Sequence, residues 1–166
     1  MMFNDERAER VYELADETAT GRLAARIAER AGPGDVIALL GGLGAGKTSF
    51  ARAFIRHLAD ADEEVPSPTF TLLQTYPSRA GDIYHFDLYR IEDADEALEL
   101  GIEEAFSDGI TLIEWAERLE DLLPADRLDV RLEAGTRPES RRATLTGHGR
   151  WMAKLAESID EGAIHA

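Results

Sequence analysis

A run of glycines that ends in a lysine and a threonine is the part of this sequence best suited to chemistry. Residues 41–48 read GGLGAGKT and match the pattern G-x-x-x-x-G-K-[ST]. Glycines permit positive φ angles and bring successive backbone N–H groups close to a polyphosphate. Lys47 would supply a cation for the β- and γ-phosphates, and the Thr48 hydroxyl is placed to ligate Mg²⁺. The motif therefore predicts a site for a nucleotide polyphosphate with Mg²⁺.

The residues expected to touch the nucleotide lie mainly in this loop and at the start of the next helix: Gly42, Gly44, Ala45, Gly46, Lys47, Thr48 and Ser49. Ser49 is the candidate for the α-phosphate. Thr18 is a further candidate, for the adenine or ribose, because a strand–helix unit just ahead of such a loop often lies near the base. A role in capping the helix that follows Asp16 explains the same segment equally well.

Two β-rich apolar runs end in an acidic residue. One is IYHFD, ending at Asp87, and the other is ITLIE, ending at Glu114. Strands of this kind carry a carboxylate to the edge of the sheet where ligands bind, so both residues are candidate Mg²⁺ or water ligands and catalytic groups. The sequence leaves open which of the two touches the metal, and one of them could merely cap a loop. His85 is a weaker candidate, for which we favour a structural role.

The segment 65–70, VPSPTF, contains two prolines that stiffen it. It lies where many proteins with this motif keep the segment that senses the γ-phosphate. Thr69, or else Ser67, could contact the γ-phosphate, the metal or an attacking water. An ordinary proline-rich connector is the alternative interpretation.

The spacing of apolar residues predicts the strands and helices that would position these side chains. The apolar run 36–40 predicts a buried strand, and Phe50, Phe54 and Leu58 repeat at helical spacing after the loop. The other predicted strands are a short one at 10–14, a β-hairpin of 70–76 with 82–88, and strands at 110–115, 127–132 and 143–146. The other predicted helices are at 17–30, 93–100, 103–106, 117–123 and, at the C-terminus, 151–158. Together they favour an α/β fold of three layers, with a mostly parallel central sheet and additional antiparallel hairpin strands.

Arg141 and Arg142 form a basic pair late in the chain. One of them could approach the nucleotide. We favour a solvated edge strand for this segment, because charged residues protect such edges.

Composition limits the classes of function. The 166 residues favour one domain, 1–166, and they carry 18 Lys and Arg against 33 Asp and Glu, a formal charge of −15. Such acidity opposes direct binding of nucleic acid or of an anionic membrane. There is no cysteine, which excludes disulfides and thiolate metal sites. No apolar run reaches the length of a membrane span and no signal-peptide core begins the sequence, so we expect a cytoplasmic location.

Four motifs occur in a fixed order: GGLGAGKTSF, PSPTF, YHFDLYR and LIEWAE. Together they resemble the TsaE (YjeE) family, bacterial ATPases needed to make threonylcarbamoyladenosine in tRNA. The resemblance extends over about the whole chain, and HFDLYR followed by IEW is its specific part. One departure is Ala116, where the family usually has proline after the tryptophan. That difference concerns the turn after the strand more than the chemistry.

The resemblance implies a small Mg²⁺-dependent ATPase with weak activity of its own. It also implies that the chain works with the TsaB and TsaD proteins to support modification of adenosine 37, and that tRNA is reached only through that complex. In the matching motifs, Lys47 would hold the phosphates, Thr48 and Glu114 the Mg²⁺, and Asp87 a network of metal and water. Thr69 would belong to the switch segment, and Trp115 would lie near the nucleotide.

Two other functions stay open. One is a small nucleotide-dependent kinase, although the stretch between Gly101 and Pro124 offers only Arg118 as a cation for a lid over an acceptor. The other is a nucleotide-gated binding module, in which the two-proline segment would respond to the γ-phosphate and hydrolysis would serve as a timer.

Overall fold

The computed structural model describes residues 7–165. Its sheet has seven strands in the order β1-β7-β6-β2-β5-β4-β3. The strands are β1 Arg7–Leu14, β2 Val36–Leu40, β3 Leu73–Tyr76, β4 Ile83–Asp87, β5 Ile110–Glu114, β6 Arg127–Ala134 and β7 Arg141–His148. The four central strands, β6, β2, β5 and β4, run parallel. The outer strands β1, β7 and β3 pair antiparallel, which confirms the predicted α/β class with a parallel centre and an antiparallel hairpin.

The helices cover both faces of this sheet. They are α1 Glu17–Ala28, α2 Lys47–Leu58, α3 Asp95–Glu99, α4 Ile102–Asp108, α5 Arg150–Lys154 and α6 Glu161–His165, with a 3-10 segment at Ala116–Leu122. Along β2, Ile37 and Leu39 belong to one hydrophobic core with α1 and α2, whereas Val36 and Ala38 belong to a second core with α3 and α4. Because successive strand residues face opposite sides, a central strand that is apolar throughout is buried by both layers.

Local sequence explains the element ends nearest the site. The Asp16 carboxylate accepts a hydrogen bond from the Ala19 N–H at 2.9 Å and so caps α1. Gly46, with φ 105°, precedes α2 in a left-handed conformation that favours glycine. The strand β2 thus passes through the glycine-rich loop, residues 41–48, directly into α2.

Two sequence predictions about the C-terminal third were wrong. The strand β7 is not at an edge, because it pairs with β6 on one side and β1 on the other. The predicted helix 151–158 is α5 alone, which ends at Lys154. Beyond it the side chain of Arg30 binds the carbonyls of Lys154 and Glu157, and the Ile159 N–H donates to the Tyr12 hydroxyl. These tertiary hydrogen bonds hold the backbone in a non-helical path while Ile159 is still buried.

Within residues 7–165 no helix combines the length and the hydropathy that crossing a membrane requires.

Candidate nucleotide and metal site

The glycine-rich loop lies at the floor of a cavity of about 540 Å³. The cavity is lined by Glu17, Thr20, Leu43, Gly44, Ala45, Gly46, Lys47, Thr48, Ser49, Ser67, Thr69, Asp87, Tyr89, Glu114, Trp115, Glu139 and Arg141. The loop, the two acidic strand ends and the two-proline segment are therefore brought together, although the two acids come from different strands. Most of the lining side chains are polar or charged, and polar groups that converge on one cavity indicate a small-ligand site.

The backbone of the loop needs glycine at its first position for two reasons. Gly41 has φ 143°, and a Cβ placed there would lie 2.5 Å from the carbonyl oxygen of Leu132 and 2.9 Å from the Cβ of Ala45. Gly44 and Gly46 also have positive φ angles, 75° and 105°. The loop follows a path that side chains at these positions would strain.

Lys47 is buried, with 5% of its surface exposed. Its ammonium group donates to the carbonyl of Gly41 and, at 3.2 Å, to that of Gly42, and it lies 3.7 Å from the centre of the Trp115 ring. Burial lowers the pKa of Lys47 from its ordinary value, and the charges of Glu114, Glu117 and Asp87 act in the opposite direction. A buried charge needs partners, and the carbonyls of Gly41 and Gly42 supply them here. The phosphate oxygens of a polyanion would be stronger partners for this ammonium group.

The acidic ends of β4 and β5 are adjacent. Asp87 and Glu114 pair directly across the two parallel strands, and both are buried. The Thr48 hydroxyl donates to Glu114 Oε1 at 2.8 Å. The other carboxylate oxygen, Oε2, lies 2.7 Å from Nε2 of His85, which is fully buried. Since the carboxylate accepts, the imidazole donates through Nε2, and Glu114 is held from two sides.

A second set of hydrogen bonds ties the two-proline segment to Asp87. The Thr69 hydroxyl donates to Asp87 Oδ2 at 2.8 Å, while Oδ1 accepts from the Tyr89 N–H at 3.0 Å. The Ser67 hydroxyl lies 2.7 Å from that of Thr69 and donates to it, since the Thr69 proton is directed at the carboxylate. Any displacement of this segment would therefore alter the position of the Asp87 carboxylate.

Trp115 follows Glu114 in a left-handed conformation, with φ 61° and ψ 41°. Its ring packs against Tyr89 with 4.9 Å between ring centres. A left-handed conformation costs a bulky residue about 1–2 kcal/mol, and strain of this kind tends to be found at functional sites. The conformation brings the indole over the Lys47 ammonium at the cavity wall.

The donor set fits Mg²⁺. Thr48, Glu114 and Asp87 offer one hydroxyl and two carboxylates, and Mg²⁺ takes oxygen ligands, commonly one or two carboxylates together with water and substrate phosphates. No cluster of three or more His, Cys, Asp or Glu side chains arranged for a metal occurs in the part of the chain that the structure describes. The set would therefore need phosphate oxygens to complete the coordination.

Two residues expected at the nucleotide lie outside the cavity lining. The side chain of Thr18 is exposed, and its neighbours Glu17 and Thr20 line the cavity instead. Gly42 contributes a carbonyl to Lys47 and is otherwise exposed. Arg142 points away from the site and pairs with Glu13 at 2.6 Å.

Sequence analysis named two residues that contact the site but favoured other roles for them, a structural role for His85 and a solvated edge strand for Arg141. His85 contacts Glu114, and the available signal was its position two residues before Asp87, which puts both on one face of β4. Arg141 lines the cavity and bonds to the loop. No local signal distinguishes it from Arg142, because the difference depends on which face of β7 is turned towards the loop.

Comparisons with known proteins agree with this arrangement. The family model described as "Threonylcarbamoyl adenosine biosynthesis protein TsaE" matches residues 14–143. The chain is 40% identical over 138 residues to a protein of Rickettsia conorii named tRNA threonylcarbamoyladenosine biosynthesis protein TsaE, covering 83% of this chain and 79% of that one. The protein of the same name from Bacillus subtilis is 39% identical over 141 residues, covering 84% of this chain and 87% of the relative.

The fold is also that of a solved relative. The crystal structure of Bacillus subtilis YdiB superimposes with a TM-score of 0.76 at 31% sequence identity, covering 90% of this chain and 92% of that one. The family match includes the glycine-rich loop, both acidic strand ends and the two-proline segment. The chain belongs to the TsaE family, which is named for the biosynthesis of threonylcarbamoyladenosine in tRNA.

Proposed function

We propose that this protein is a Mg²⁺-dependent ATPase that supports N6-threonylcarbamoylation of adenosine 37 in tRNA, in complex with TsaB and TsaD. The observation that carries the proposal is the hydrogen bond between Thr48 and Glu114. It joins the last residue of the glycine-rich loop to the acid of a neighbouring strand. P-loop NTPases hold Mg²⁺ with a Ser or Thr and an Asp at these two places, and Glu114 stands where the Asp is usual.

The binding roles follow from the geometry. Backbone N–H groups of residues 44–48 and the start of α2 would face the phosphates of ATP or ADP. Lys47 would exchange its bonds to the loop carbonyls for bonds to the β- and γ-phosphates. Thr48, Glu114 and Asp87 would hold Mg²⁺, which when bound neutralises charge on the phosphate oxygens. Trp115 would form a wall beside the phosphates.

The reaction is hydrolysis of the γ-phosphate. A water oxygen forms a bond to the γ-phosphorus as the bond to the β,γ-bridging oxygen breaks, giving ADP, phosphate and a proton released to solvent. Asp87 would orient the water, and Thr69 would hold Asp87 through the bond seen at 2.8 Å. His85 would keep Glu114 in place. Weak activity of the isolated chain is expected if partners must complete this arrangement.

The charge of the chain supports an indirect relation to tRNA. A net charge of −15 opposes binding to a phosphate backbone. The relatives are nevertheless named for tRNA modification. A protein complex in which TsaD and TsaB hold the tRNA and this chain supplies ATP hydrolysis reconciles the two observations.

A second function, a nucleotide-gated binding module, has one specific observation in its favour. The bonds from Ser67 to Thr69 to Asp87 couple the exposed two-proline segment to the candidate metal site. ATP and ADP would then give this segment different positions, and partner affinity would differ between the two forms. Equal affinity of the TsaB–TsaD pair for the ATP and ADP forms would remove this function and leave the ATPase.

Phosphate release from ATP and Mg²⁺, measured with and without purified TsaB and TsaD, tests the main proposal. We expect slow release by the chain alone and faster release in the complex. Transfer of the phosphate to a small acceptor without any protein partner would instead support the small-kinase alternative. No release under either condition would contradict the ATPase.

A further inference from the structure

The two neighbouring arginines of β7 have different surroundings. Successive strand residues point to opposite faces. Arg142 is exposed and pairs with Glu13, its register partner on β1. Arg141 is half-buried and points to the cavity, where it reaches the glycine-rich loop. Arg141 therefore belongs to the site, whereas Arg142, the next residue of the same type, lies away from it and can serve as a control.

The guanidinium group of Arg141 connects two loops. Nε donates to the carbonyl of Ala45 at 3.1 Å, and Nη2 donates to that of Gly44 at 3.2 Å. Nη1 donates to the carbonyls of Pro138 and Ser140, each at 2.7 Å. Four of the five N–H groups of the side chain thus bond to backbone oxygens, two in the glycine-rich loop and two in the β6–β7 connection.

These bonds constrain the direction of backbone amides. A peptide unit is planar, so its carbonyl and the N–H of the next residue point in opposite directions. A fixed Gly44 carbonyl orients the Ala45 N–H, which donates to the Gly42 carbonyl at 3.2 Å inside the loop. A fixed Ala45 carbonyl orients the Gly46 N–H. Gly44 and Gly46 have positive φ angles and rotate with little steric restriction. An external anchor therefore limits a motion that the loop sequence itself permits.

Charge gives Arg141 a second effect. The charged side chains that line the cavity are four acids, Glu17, Asp87, Glu114 and Glu139, and two cations, Lys47 and Arg141. A polyphosphate would enter an acidic surrounding, so each cation near its path favours binding. The Arg141 donors already bond to carbonyls. Its positive charge would therefore attract the phosphates through space from beside the loop, without direct contact with the γ-phosphate.

We propose that Arg141 is a positioning residue of the nucleotide site, whose guanidinium group fixes the Gly44 and Ala45 carbonyls and with them the path of the glycine-rich loop around a polyphosphate. The proposal rests on the proposed function for the identity of the ligand. It predicts a loss of affinity without a comparable loss of kcat, because Arg141 touches neither the attacking water nor the γ-phosphate. Lysine cannot replace it, since one ammonium group lacks the planar fork that serves two carbonyls at once.

The experiment compares Arg141→Met and Arg141→Lys with the matched control Arg142→Met. Calorimetric titration with Mg·ADP should give a Kd raised by about tenfold in both Arg141 variants, the effect of losing one hydrogen bond to a charged group. The control should stay within about twofold of the wild type. In the ATPase assay, kcat at saturating ATP should change by less than about threefold in the Arg141 variants while KM rises.

A second measurement does not depend on nucleotide. Backbone ¹⁵N relaxation of the free protein should show lower order parameters for residues 44–46 in Arg141→Met than in Arg142→Met. The proposal would be overturned if Arg141→Met and Arg142→Met had the same order parameters and the same affinity for Mg·ADP. It would also be overturned if Arg141→Lys bound Mg·ADP with wild-type affinity. If Arg141→Met fails to fold, Arg141→Lys decides both measurements. If the wild type itself does not bind Mg·ADP, the proposed function fails, and the relaxation data still decide whether Arg141 anchors the loop.

Discussion

Asp87 and Glu114 are directly paired residues at the carboxyl ends of the parallel strands β4 and β5. Adjacent strands lie about 4.8 Å apart, so two buried carboxylates share one short edge of the sheet. Each is restrained by a hydroxyl, Asp87 by Thr69 and Glu114 by Thr48. The pairing joins the two-proline segment to the glycine-rich loop through two side chains, and it forms the centre of the proposed metal site.

Replacing Glu114 with glutamine should reduce hydrolysis more than binding. The amide removes a negative charge and a potential Mg²⁺ ligand but keeps the shape of the side chain. We expect kcat to fall by about a hundredfold, the scale of losing one electrostatic contact in a reacting site, while the Kd for ADP changes by less than about threefold. Glu103→Gln on the exposed face of α4 is the control. Normal hydrolysis by Glu114→Gln would exclude Glu114 from the metal site.

His85 should act through Glu114. The variant His85→Ala leaves the buried Oε2 oxygen of Glu114 without its donor and opens a cavity, so we expect a loss of about 2–4 kcal/mol of unfolding free energy. The kcat should fall while ADP still binds. His85→Gln retains an N–H donor and should recover part of the kcat. Wild-type kcat in His85→Ala, measured below its unfolding temperature, would show that Glu114 needs no support from this imidazole.

The first two glycines of the loop should respond differently to alanine. At Gly41 a Cβ would lie 2.5 Å from a backbone oxygen, whereas at Gly42 no atom lies within 4 Å. Gly41→Ala should therefore destabilise the protein by at least about 1–3 kcal/mol, and Gly42→Ala by less than about 0.5 kcal/mol. Chemical denaturation of the two variants measures the difference. Equal stability would mean that the loop backbone does not follow the path described.

Nucleotide binding should become weaker at alkaline pH because of Lys47. Burial lowers the pKa of Lys47 below its ordinary 10.5, so the free protein loses this ammonium charge earlier than an exposed lysine would. A bound polyphosphate favours the charged form and raises the pKa again. Between these two pKa values, binding must take up a proton. Titrations in two buffers with different ionisation enthalpies would measure that uptake.

The same shift has a defined sign for folding. A charged Lys47 is disfavoured in the folded protein, so its charge lowers the free energy of unfolding. This loss of stability is fully present below the folded pKa and is relieved as the pH rises towards 10.5.

The control for the binding experiment is the other lysine, Lys154. It pairs with the buried Asp35 at 2.5 Å, and Lys154→Arg keeps that pair. This variant should retain the proton uptake of the wild type. Affinity that is constant up to pH 10.5 would contradict the role of Lys47.

Local pattern predicted much of the fold and of the site. The strand, loop and helix at residues 36–58, the hairpin of β3 and β4, and the acidic ends of β4 and β5 follow from periodicity, glycines and alternation. These features depend on residues close in sequence. The motif order also predicted the TsaE family, which the comparisons confirm.

The errors concern contacts between distant parts of the chain. The segment of Arg141 and Arg142 has the charged character of an edge strand, but pairing with β1, more than 120 positions earlier, puts it inside the sheet. The helix predicted at 151–158 has an amphipathic pattern, but Arg30 and Tyr12 bind its backbone beyond Lys154. Neither partner can be read from the local sequence.

Calorimetric titration of the purified protein with ATP in the presence of Mg²⁺, beside the variant Lys47→Ala, tests the central claim most directly. The geometry predicts saturable binding of one nucleotide per chain by the wild type and loss of tight binding in Lys47→Ala. No heat of binding by correctly folded wild-type protein, with either ATP or ADP, would contradict the proposal that the glycine-rich loop holds a polyphosphate.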